Sequence, residues 1–136
     1  MTYKELTAKH QEEVNSFPLM FAFGRQQFDE MLAKNNVTAK DIYSIGAGGY
    51  VRKTDAPAMS AMFSRHKKEL TEARKQNKFL TEAFLYEMAN HEYCITFDSD
   101  EVLAACGITE DDYKNNEGIR KAWKAAKAKY IQEVEQ

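Results

Sequence analysis

Cysteine is scarce. Cys94 and Cys106 are the only two in 136 residues, too few for a disulfide framework. The first stretch, 1–13, is polar and mixed in charge and has none of the apolar run of an export signal. Reduced thiols in a cytoplasm are therefore expected. Long apolar runs are missing too. None approaches the roughly 20 residues that a membrane-spanning helix needs. There is no excess of positive charge: the formal charge is −2, so nothing draws the whole chain to nucleic acid, and direct nucleic-acid binding is not expected. Internal repeats, low-complexity tracts and linkers are absent. The reading is one globular domain over 1–136, long enough to bury a core. Catalytic signatures are lacking as well. Gly46-Ala47-Gly48-Gly49 has neither the Lys-Ser/Thr ending of a Walker loop nor the spacing of a dinucleotide fingerprint. No nucleophile, base and oxyanion donor stand together by spacing, so a non-enzyme is expected.

What is present is a chain rich in aromatics, with eight Phe and seven Tyr, which argues for an ordered core. Tyr3, Leu6, His10, Val14 and Phe17 recur three and four apart, so 3–16 reads as a helix, ended by Pro18. Residues 17–23 are a short apolar run, strand or helical turn, and 24–35 return to helical spacing before Asn35-Asn36. Residues 42–53 read as a β-hairpin, because the glycine cluster lies between two apolar runs and glycine accepts positive φ. Asp55 and Pro57 suit the start of a long helix, with Met59, Met62, Phe63, His66, Leu70 and Ala73 as its stripe. A further helix is expected over 78–93, on Leu80, Phe84, Met88 and His91. A strand is expected over 93–97, a short helix over 99–106 stopped by Gly107, and a loop over 111–116. The last helix, 118–134, carries the stripe Ile119, Trp123, Ala126, Tyr130 and Val134. The fold class is α+β, mostly helical with five to six helices, and with a small antiparallel sheet or hairpin.

Charge is segregated. Residues 65–78 carry six cations against two carboxylates, and 114–129 carry six against one. Between them Asp98, Asp100, Glu101, Glu110, Asp111 and Asp112 form an acidic block. Solvated helix faces account for such blocks. The sharper reading is a bipolar surface that steers a charged partner, with the acidic block as its contact. All three histidines fall on apolar stripes. His91, Cys94, Cys106 and His66 make a chemically sensible zinc set of two imidazoles and two thiolates, although their spacing matches no established zinc module. A metal-assisted enzyme or zinc protein is the alternative reading.

Three segments carry a family likeness: Phe21-Ala22-Phe23 followed by Gln26-Gln27-Phe28, the run from Ser44 through Asp55, and Ala89-Asn90-His91-Glu92-Tyr93-Cys94-Ile95-Thr96. On these the chain resembles a family of small uncharacterised proteins carried by phages, prophages and mobile elements. The resemblance implies a small protein of phage–host conflict in the host bacterial cytoplasm. Its partner would be a host defence protein. An anti-CRISPR that occupies a CRISPR nuclease is one such activity.

Overall fold

The computed structural model describes residues 1–135. The chain gathers into two compact units, one made of Met1–His10 with the chain from Lys67 onward, the other of Gln11–His66. Among the described residues there are eight α-helices and a three-stranded antiparallel sheet, so the α+β, mostly helical class holds, with more helices than the periodicity predicts. No helix among the described residues is long and apolar enough to cross a membrane.

The second unit holds the sheet. It contains the C-terminal end of α1 (Tyr3–Ser16), then β1 (Met20–Phe21), α2 (Arg25–Asn35), a 3-10 turn at Ala39–Asp41, β2 (Ile42–Gly46), β3 (Gly49–Arg52) and the larger, N-terminal part of α3 (Ala56–Ala73). Strand order is β1-β3-β2, with Met20 opposite Tyr50 and Tyr43 opposite Val51. The hairpin turns on Ala47 and Gly48, at φ 50° and 76°. Two successive positive φ values are those of the tight turn that matches strand twist. The turn glycine is Gly48. Gly49 is not in the left-handed region, and a side chain there would meet Ile45. α2 ends where Asn36 turns left-handed at φ 53° and its amide donates back to Ala33, the usual αL stop. Met20, Ala22, Met31 and Ile42 form the small core between sheet and α2.

The first unit is helical: α4 (Asn77–Asn90), α5 (Tyr93–Thr96), α6 (Ser99–Ala105), α7 (Glu110–Asn115) and α8 (Glu117–Val134), with the ends of α1 and α3 that belong to it. α4 is buried on two stripes, Phe79, Ala83 and Glu87 beside Leu80, Phe84 and Met88, and it packs on α8. α8 meets it with Ala122, Trp123, Ala126 and Tyr130. The small Ala122 and Ala126, both fully buried, let the helices approach closely while Trp123 fills the layer. Trp123 stands edge-on to Phe84, Tyr93 and Tyr113, at 5.2, 5.9 and 6.4 Å between ring centres, the packing that ring quadrupoles favour.

Two expectations change here. Residues 93–97 are not a strand: Tyr93–Thr96 is a single helical turn, and the strand that joins the hairpin is Met20–Phe21. Tyr93 is held inward against Trp123 and Tyr130, a tertiary demand that outweighs the β-propensity of Tyr-Cys-Ile-Thr-Phe. Residues 111–116 are not a loop. Thr109 and Asp112 form a reciprocal capping box that starts α7.

Candidate functional site

The chemistry-bearing residues of the first unit collect around the end of α4. Glu87 and His91 are one turn apart, so both side chains leave the same face of the helix. Glu87 is only 6% exposed. The Tyr3 hydroxyl donates to Glu87 Oε1 at 2.8 Å, and His91 Nε2 lies 3.0 Å from Glu87 Oε2. The other ring nitrogen, Nδ1, lies 2.8 Å from Glu101 Oε1. The chain Tyr3–Glu87–His91–Glu101 thus ties α1, α4 and α6 together. A buried carboxylate without such partners would cost about 1–3 kcal/mol or more. Burial first, then the bond to Glu87, pushes the Tyr3 hydroxyl well above the usual phenol range. Cys106 is buried near this chain. Its thiol is pushed up to about 12, chiefly by burial and further by the Glu87 charge, with Arg74 opposing. A thiol held protonated is a packing group and not a nucleophile.

His91 therefore spends both ring nitrogens on carboxylates. Cys94 is exposed, and its backbone amide donates to the Tyr130 hydroxyl at 3.0 Å. His66 belongs to the second unit, where its Nε2 lies 3.4 Å from Glu13 Oε2 and its ring stands edge-on to Phe63. No group of three or more His, Cys, Asp or Glu among the described residues is placed to hold a metal ion. The zinc expectation on His91, Cys94, Cys106 and His66 gains no ligand set from the structure.

The acidic block divides by role. Asp98 accepts from the Glu101 amide and caps α6. Glu101 holds His91. Asp112 caps α7, and its bonds to Thr109 keep its carboxyl below the usual range. Glu110 lies 3.1 Å from Lys114 in an exposed pair, worth little in water. Asp100 and Asp111 are exposed. Asp100 and Glu110 flank an open cleft of about 560 Å³ floored by Leu103 and Ile108.

Immediately before this block lies what the sequence pattern hides. Ile95 and Phe97, on and just after α5, are 70% and 72% exposed. α5 is bracketed by Glu92 and Phe97, both left-handed at φ 51° and 52°. The left-handed region is costly for a bulky side chain, and such strain concentrates where a surface is put to use. Glu87 is also missed by a search for exposed chemistry, although its four-residue spacing from His91 was the available signal.

A family model described as a family of unknown function, DUF7659, matches residues 2–129, nearly the whole chain. The chain belongs to DUF7659. Comparison with curated proteins and with solved structures gives no match. For this DUF7659 chain the candidate site is thus the one its own geometry marks, the α5–α6–α7 face with the Tyr3–Glu87–His91–Glu101 chain as its anchor.

Proposed function

We propose that this is a phage- or mobile-element-encoded binding protein that acts without turnover in the host bacterial cytoplasm. It occupies a host defence protein one to one, and the specific form we favour is an anti-CRISPR against a CRISPR nuclease. The observation that carries the binding reading is α5. Two large apolar side chains stand in solvent on a strained turn, beside Asp98 and Asp100. Exposed apolar groups rimmed by charge are the profile of a protein-docking surface. The acid rim suits a nucleic-acid-binding target, whose Lys and Arg side chains line its grooves. The phage setting and the CRISPR target come from the motif resemblance.

The test is a titration of purified protein into a guide-loaded CRISPR nuclease, read by cleavage of its DNA substrate. Inhibition should break at one inhibitor per nuclease and weaken as salt rises, because exposed ion pairs are screened. Phe97→Ser and the charge reversals Asp100→Lys and Asp111→Lys should each weaken it with the fold intact. Asp112 is unsuitable for reversal, since it caps α7. Inactivation by substoichiometric protein would mean catalysis and end the occupation reading.

A further inference from the structure

The second unit carries a different surface, on the hairpin. β2 is an outer strand in the order β1-β3-β2, and four of its five residues, Tyr43 to Gly46, are exposed. The other outer strand, β1, is two residues long. The Lys53 amide donates to the Asp41 carbonyl at 2.9 Å. Antiparallel rungs alternate, so Tyr43 also faces β3, and the amide and carbonyl groups of Ile42 and Ser44 point away from it. Among the described residues no strand lies against that edge. A β-bulge between Ser44 and Gly46 interrupts the register, so the regular unpaired edge runs from Ile42 to Ser44, and such an edge is a template for another strand.

The side chains around it are those of a contact surface. Phe21, Phe23, Tyr43 and Ile45 are 59%, 68%, 51% and 40% exposed. They belong to one patch. Phe21 is opposite Gly49, Tyr43 is opposite Val51, Ile45 lies on Gly49, and the Phe23 ring lies on Gly48. The Lys53 ammonium sits 5.1 Å from the centre of the Tyr43 ring. Lys53 and Lys40 are both exposed at the base of the hairpin, where the rung between Lys53 and Asp41 brings their segments side by side. Asp41, a carboxylate at this end, is taken up by the Thr38 amide and hydroxyl, which hold its carboxyl below the usual range. A second, Asp55, lies in the turn after Lys53, its amide donating to the Arg52 carbonyl.

We propose that the outer edge of β2 is a docking site for an extended segment of another protein, acidic at one end, which adds as a fourth strand. Backbone rungs at Ile42 and Ser44 supply affinity. Tyr43 and Ile45 select apolar side chains, and Lys40 and Lys53 select acid at the segment's C-terminal end when it runs antiparallel. A second copy of the chain fits less well. Symmetric pairing about Ser44 sets Tyr43 against Ile45 but carries the lysines to opposite ends with no counter-charge. The four apolar side chains offer on the order of 400 Å², short of the roughly 800 Å² per partner of a stable interface. This inference is independent of the α5–α6–α7 face and of any inhibitory activity.

The test uses the full chain and a labelled ten-residue peptide of alternating valine and threonine, ending in two glutamates, read by fluorescence anisotropy at low salt. The peptide should bind at least about tenfold more tightly than a version ending in two lysines. Ser44→Pro removes one outward amide and leaves the β3 rungs alone, as proline on an outer strand allows. It should abolish binding while the thermal midpoint stays near that of the parent. Lys40→Glu with Lys53→Glu, both at exposed positions, should reverse the preference to the lysine-ended peptide, and keeps the test decisive if Ser44→Pro fails to fold. Absence of binding to either peptide, or unchanged binding by folded Ser44→Pro, overturns the proposal. So does a dimer in light scattering that Ser44→Pro dissociates, because the occupant is then a second copy.

Discussion

Trp123 is the side chain on which the helical unit can be tested most directly. It is the only tryptophan, it is buried, and three aromatic edges surround it. Truncation to alanine removes on the order of 200 Å² of buried ring, worth about 5 kcal/mol at about 25 cal/mol per Å². A compact unfolded chain already hides part of that surface, which lowers the figure to about 3–4 kcal/mol. Loss of the edge-to-face contacts, each about 0.5–1.5 kcal/mol, pushes it up again, and partial collapse of the cavity pulls it down. The expected loss for Trp123→Ala is about 3–5 kcal/mol. That is a large fraction of a stability of about 5–15 kcal/mol, so the unfolding midpoint should fall substantially. Urea unfolding followed by far-UV circular dichroism reads the change, with the midpoint moving and the slope constant. Trp123→Phe, which keeps a ring against Phe84, should lose clearly less. Native fluorescence supplies an independent check, since a buried indole emits to the blue of free tryptophan. A loss below about 1 kcal/mol, or native emission at the free-tryptophan wavelength, would refute the packing described for α4 and α8.

Two further outcomes follow from titratable groups. Thiol reagent at mildly alkaline pH should modify one cysteine per native chain, Cys94, and two after denaturation, because Cys106 is buried and its thiol is pushed up to about 12; rapid reaction of both in the native protein would contradict this. Glu13 is held at about 2, first by its hydrogen bond from Arg65 and also by His66. A depressed carboxylate stabilises the fold above its unfolded value near 4.5 and loses that contribution as pH falls toward about 2. The thermal midpoint should drop across that window, and Glu13→Gln should flatten the drop; an equal slope in both proteins would remove Glu13 from the account.

Much of the framework is legible in the chain itself, because it rests on local periodicity. The stripe Ile119, Trp123, Ala126, Tyr130 and Val134 is one face of a helix whatever it packs against; the inward face of α8 contains Trp123, Ala126 and Tyr130, while Val134 at its end is exposed. The hairpin is likewise local: a tight turn needs positive φ, and Gly48 supplies it. Asn36 and Gly107 stop their helices for the same reason. The four residues of α5 are too few to show a period, so their form is set by Tyr93 packing on Trp123 and Tyr130. Exposure of Ile95 and Phe97 follows from that packing, and no composition signals it. α7 depends on a capping box, a local signal that hydrophobic spacing does not register.

The site residues separate in the same way. Which groups carry chemistry was fixed by the sequence, down to the four-residue spacing of Glu87 and His91 on one helix face. Which groups meet was decided only by the tertiary structure. Tyr3 and Glu87 are 84 positions apart, and only the packing of α1 on α4 makes them hydrogen-bond partners. Glu101 looks like one more surface acid in a block of six, yet α6 swings it onto His91. Cys94 and Cys106 are equivalent thiols on paper, and burial makes one inert and leaves the other in solvent. Charge and periodicity act along the chain and can be read there. Desolvation and hydrogen-bond partnership act through space, and they exist only once the helices have closed around them.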